Sequence, residues 1–108
     1  MAKFHEEQLS WIKLDVGGQF FKTSKSTLTK EESFFSKLLS GIYKIEKDEG
    51  GSIMIDRDGT HFGLILNYLR DGTLPSDLDK RTVEALLAEA NYYQLSSLIL
   101  KLSPGIKK

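Results

Sequence analysis

The chain has 108 residues, which fits one domain with one modest core, and its fifteen basic and fifteen acidic residues cancel to a net charge of zero. That balance lacks the positive field a nucleic-acid binder needs. No apolar run approaches the roughly 18 residues of a membrane span, and the absence of cysteine excludes disulfides and thiolate metal ligands.

Residues 1 to 10 carry mixed charge without a sustained period and are expected to form a loosely held lead-in. With neither the apolar stretch of a signal peptide nor an Arg-rich transit pattern there, the expected location is the cytoplasm, with the nucleus as a second site. From Trp11 onward Ile12, Leu14 and Val16 alternate with Lys13 and Asp15, the period of a half-buried strand. Gly17-Gly18 offers a tight turn and Gln19 to Ser24 the returning strand. The segment SKSTLTKEES follows, in which Thr29 and Glu32 have capping-box spacing, predicting a short helical turn and then a new helix start. That second helix presents Phe35, Leu38, Leu39 and Ile42 at i, i+3, i+4, i+7 and stops near Gly41.

The stretch YKIEKDEGG reads as an exposed loop and Ser52 to Ile55 as a third short strand. Next, Phe62, Ile65, Leu66 and Leu69 repeat the helical spacing, with Asp58 placed to cap the start and Gly72 to end it. Pro75 punctuates the loop that follows. Asp79 is placed to cap a helix whose inner face is Val83, Leu86, Leu87 and Ala90. A last helix runs from about Ser96 through Leu98, Ile99 and Leu102 to Pro104-Gly105, leaving residues 104–108 as a tail. Three strands and about five helices without βαβ alternation make the expected fold α+β, with the domain over residues 11–103.

Catalytic and cofactor chemistry find no foothold in this pattern. Gly17-Gly18 lacks the spacing of a phosphate loop and leads into a strand, whereas a phosphate cradle needs a helix N-terminus behind it. His5 and His61 are the only histidines, and without cysteine a tetrahedral zinc site would need carboxylates to complete it. No G-x-S-x-G elbow exists, and Ser10-Trp11-Ile12-Lys13 matches S-x-x-K on a strand entry, where the side chains diverge. The expectation is a non-enzymatic protein with no cofactor, no metal and no small-molecule substrate.

Several apolar side chains are left over from the core pattern. On a helix turning about 100° per residue, Tyr92 lies about 180° from Val83 and points outward. The same count places Leu64 about 200° from Phe62, opposite that helix's core stripe. Ile42, Tyr43 and Ile45 add apolar groups at the start of a polar loop. Asp56-Arg57-Asp58 is a dense charge cluster beside a helix start, which reads either as a capped N-terminus or as a contact to another subunit through Arg57.

Four blocks then carry a resemblance: IKLDVGGQFFKTSKSTL, SFFSKLLSG, IMIDRDGTHFGLILNYLRDGTL and EALLAEANYYQLSSLI, in this order over residues 11 to 102. Together they resemble the T1-type BTB/POZ domain of the KCTD proteins. Parts of the third and fourth blocks are similar to the Bacurd subgroup, and the second to another branch. The resemblance implies a homo-oligomeric ring, commonly a pentamer, with the tetramer of potassium-channel T1 domains as the other size. It also implies a substrate adaptor for a cullin-3 ubiquitin ligase, or else a structural module that assembles a channel or receptor regulator. By motif position it places Asp15, Asp56, Arg57, Asp58, Asn67, Arg70 and Asp71 between subunits. Tyr92 falls at an aromatic position used against the N-terminal region of the cullin, with Ile42, Tyr43 and Ile45 beside it.

Overall fold

The computed structural model describes residues 10–103. Most of the expected lead-in, His5 and the tail from Pro104 lie outside them.

Alternation in Trp11–Val16 gives β1, and Gln19–Ser24 gives β2, antiparallel to it across the glycine turn. Ile53–Ile55 forms β3, parallel to the last residues of β1, so the sheet order is β2-β1-β3. Leu14, Val16, Ile53 and Ile55 point to one side and are buried; Asp15, Phe20 and Met54 share a row on the other. Lys25–Leu28 and Phe34–Leu38 are the short helices α1 and α2. Phe62–Asp71 is α3, Lys80–Tyr92 is α4 and Ser96–Leu102 is α5. The core joins the inner sheet face to Leu28, Phe35, Phe62, Ile65, Leu66, Leu69, Leu86, Ala90, Tyr93, Leu95 and Leu98. The expected α+β architecture is what these elements build, and among the described residues no helix is long and apolar enough to cross a membrane.

Two helix ends follow the sequence expectation. Asp79 accepts from the Thr82 amide at 2.8 Å at the start of α4, and Gly72 closes α3 in the left-handed region with its amide on the Tyr68 carbonyl. The hydrogen bond from Thr82 holds the Asp79 carboxyl below its ordinary pKa.

Several boundaries differ from it. The capping box belongs to Ser33 and Ser36, not to Thr29 and Glu32: Ser33 is fully extended, and its hydroxyl accepts from the Phe35 amide while its own amide donates to the Ser36 hydroxyl. Thr29 instead closes α1, donating its hydroxyl to the Lys25 carbonyl. Helix α2 ends at Leu38 because Ser40 captures the backbone, its hydroxyl donating to the Lys37 carbonyl and accepting from the Ile42 amide. Ile42 therefore leaves the apolar stripe and stands 80% exposed. Asp58 does not cap α3; its carboxylate holds the amide and hydroxyl of Thr60 in a turn before the helix, which starts behind His61 without a side-chain cap. Leu64 is half-buried against the core rather than outward. Its helix has neighbours on more than one side, with α1 alongside and Tyr68 bonded to Ser97 of α5.

Candidate partner-binding surface and subunit interface

Two adjacent pairs of aromatic residues organise one end of the molecule. Neighbouring residues on a helix point about 100° apart, so a pair cannot bury both members in one direction. Phe35 and Tyr93 go fully into the core, where their rings stack at 4.8 Å. Phe34 and Tyr92 are left nearer the surface, their rings 5.6 Å apart, each also packed on Tyr93. The Phe34 amide donates to the Tyr93 carbonyl at 2.9 Å, which fixes the start of α2 to the end of α4. Burial raises the Tyr93 phenol above its ordinary pKa, and its hydroxyl finds no hydrogen-bond partner among the described residues.

Beside this shelf lies an open groove of about 360 Å³ lined by Phe34, Lys37, Leu38, Tyr43 and Gln94. Tyr43 is 56% exposed and Tyr92 44%. Gln94 holds a left-handed backbone at φ 61°, unusual for a residue with a side chain, and accepts a hydrogen bond from the Lys37 ammonium at 3.0 Å. The groove thus has an aromatic floor, an apolar wall and a polar rim, the composition of a protein-binding cleft. Of the side chains assigned to this surface from sequence, Ile42, Tyr43 and Tyr92 are exposed, while Ile45 is half-buried against the core.

Arg57 reaches the same end of the molecule from the loop after β3. Its Nε and Nη2 donate to Oε1 and Oε2 of Glu89 at 3.0 and 2.8 Å, a bidentate pair. The guanidinium carbon lies 4.3 Å from the centroid of the Tyr92 ring. The hydrogen bond to Glu89 raises the Arg57 pKa further, so the charge is permanent.

The remaining polar candidates fall into two groups. Asp15, Gly17, Gly18, Met54 and Asp56 border a shallow hollow of about 270 Å³, where the Asp15 carboxylate accepts from the Gly18 amide at 2.8 Å. At the far end of α3, Arg70 donates to the Asn67 side chain at 3.0 Å and to the Lys22 carbonyl at 3.2 Å, next to strand β2. Asp71 accepts from the hydroxyl and amide of Thr73, as Asp58 does from Thr60, and both carboxyls are held below their ordinary pKa by these bonds. The outer sheet face exposes Trp11, Phe20 and Met54. Among the described residues, no group of three or more His, Asp or Glu is arranged to hold a metal ion.

Residues 12–103 match the sequence pattern of the BTB/POZ domain. The chain belongs to the BTB/POZ domain family. Among curated relatives of this BTB/POZ domain, "BTB/POZ domain-containing adapter for CUL3-mediated RhoA degradation protein 1" of Danio rerio is 42% identical over 89 residues, 82% of this chain and 27% of the relative. The adapter proteins 2 of Gallus gallus and Homo sapiens are each 38% identical over 89 residues, again 82% of this chain and 28% of theirs. The chain therefore spans under a third of the length of these relatives. Their names agree with the resemblance to the Bacurd branch of the KCTD proteins.

Sequence reasoning left out part of the BTB/POZ surface. Phe34, Lys37, Leu38 and Gln94 line the groove; Leu38 does so while packing against the core as its helical spacing implies, and no sequence pattern marks Lys37 or Gln94. Glu89 was also passed over, although it sits three residues before Tyr92 and so on the same helix face. The doublets Phe34-Phe35 and Tyr92-Tyr93 held a usable signal, since one member of each had to face out.

Proposed function

We propose that this BTB/POZ domain is a homo-oligomeric adaptor module that binds the N-terminal region of a cullin-3 scaffold through the groove beside Phe34, Tyr43 and Tyr92. The observation that carries this reading is the exposed Tyr92 ring packed on half-buried Phe34, which lines an apolar cleft, with buried Phe35 and Tyr93 behind them. Rigid exposed aromatics contribute much contact area for little conformational entropy. The relatives' names describe adapters for CUL3-mediated degradation, which supports the same choice of partner. Self-association is supported by the outer sheet face, where Trp11, Phe20 and Met54 lie exposed beside Asp15 and the hollow at Asp56. A ring of five, or of four, places that face and the Asn67-Arg70-Asp71 end of α3 between neighbours. No step of catalysis is assigned to the chain.

Titration calorimetry with the purified cullin-3 N-terminal region tests the partner. Tyr92→Ala removes an anchor ring at the edge of the groove, and roughly a tenfold to hundredfold loss of affinity is expected. The mass in solution should stay that of the unaltered domain. Equal affinity for both proteins would remove Tyr92 from the binding surface.

A further inference from the structure

We infer that Arg57 and Glu89 are positioning residues for the partner surface: Glu89 holds the Arg57 guanidinium against the Tyr92 ring, and this fixes the ring at the lip of the groove. The inference rests on the cullin-binding reading above, and it reassigns Arg57, which motif position alone places between subunits.

Three observations meet at this point. The bidentate bond to Glu89 uses Nε and Nη2, so the guanidinium plane is set by two hydrogen bonds and not by one flexible contact. The Arg57 side chain is only 30% exposed and that of Glu89 14%, which shields the pair from solvent. Tyr92 then has Arg57 4.3 Å from its ring centroid, Phe34 5.6 Å away and Tyr93 5.2 Å away, three groups that restrict the ring while leaving 44% of the residue exposed.

The backbone of Arg57 is as constrained as its side chain. The Arg57 carbonyl lies where a Cβ on Gly17 would approach to 2.2 Å, and a Cβ on Gly59 would meet the Val16 carbonyl at 2.4 Å. The loop is thus pressed onto the hairpin turn at Arg57 and again two residues later at Gly59. A side chain launched from so fixed a base, ending in a bidentate pair, can hold an aromatic ring in one place. An exposed tyrosine free to change rotamer would lose part of its binding energy to ordering, and the clamp removes that loss before the partner arrives.

Affinity for the cullin-3 N-terminal region, measured for the intact domain and for Glu89→Gln and Arg57→Lys, tests this. Glu89→Gln keeps the size of the side chain and removes its charge; Arg57→Lys keeps the charge and removes the planar fork. Each is expected to weaken binding roughly threefold to tenfold without changing the mass of the assembly. In a Tyr92→Leu background, which has no ring face for the cation, Glu89→Gln should cost little further. Equal losses in both backgrounds, or a change of assembly mass in Glu89→Gln, would overturn the positioning role, the latter returning Arg57 to the subunit interface. Carbon-13 spectra of the four tyrosine rings give a readout free of any partner: the Tyr92 signal should move in both variants while that of Tyr43 stays. If the unaltered domain binds no cullin, the partner reading fails by itself, and an unmoved Tyr92 signal overturns the clamp.

Discussion

Phe35→Ala is expected to destabilise the domain by about 3–5 kcal/mol, the range for removing a fully buried aromatic side chain and leaving a cavity. Phe35 has no exposed surface, and its ring packs on three others beneath the candidate site: Tyr93 at 4.8 Å, Phe34 at 5.4 Å and Phe62 at 6.0 Å. Its replacement takes the floor from under the groove and also loosens α2, whose first turn hangs on the Ser33 capping box and on the Tyr93 carbonyl. For a domain of this length such a loss lowers the thermal midpoint by on the order of 15 °C or more. Calorimetric melting should show that drop, and a change of only a degree or two would mean that the cluster does not bear on stability.

Gly59→Ala has the second largest expected effect and acts through backbone. A methyl group there would stand 2.4 Å from the Val16 carbonyl oxygen, and that atom belongs to a central strand that cannot swing aside. Gly17→Ala adds a second difficulty, since its φ of 60° is left-handed and its Cβ would come 2.2 Å from the Arg57 carbonyl. Either substitution must push the loop at Arg57 away from the hairpin, at a cost of about 3 kcal/mol or more. Gly18→Ala is the control: its Cβ would meet nothing within 4 Å, so only its backbone strain remains. Chemical denaturation should rank Gly59→Ala and Gly17→Ala well below Gly18→Ala. If all three melt alike, the close approach of loop and turn is not a constraint.

These two cases show where sequence patterns carry structure and where they stop. The strand alternation at Ile12, Leu14 and Val16 and the helical spacing at Phe62, Ile65, Leu66 and Leu69 were legible because each element buries one face, and burial enforces period. Helix ends were less legible where a hydroxyl competes for the backbone. Ser33 and Ser40 decide the start and stop of α2, and nothing local separates them from Thr29 or Ser36 as candidates. The role of Gly59 was invisible because the atom it must avoid lies 43 residues earlier in the chain, on Val16.

The candidate surface divides in the same way. Tyr92 was placed outward by helical geometry alone, and its exposure agrees. The groove beside it was not legible, since it forms where α2, the loop at Tyr43 and the α4–α5 turn at Gln94 converge. The meeting of Arg57 with Glu89 and Tyr92 joins residues 32 and 35 positions apart, which no spacing rule covers. Motif position had set Arg57 among the subunit contacts and Tyr92 on the partner surface; in the fold the two touch.

Light scattering of the domain alone and after addition of the cullin-3 N-terminal region reads self-assembly and partner binding together. The expected result is an assembly of several copies, five in the favoured case, whose mass rises on addition of the cullin fragment. A mass of one chain at high concentration, unchanged by the fragment, would contradict it.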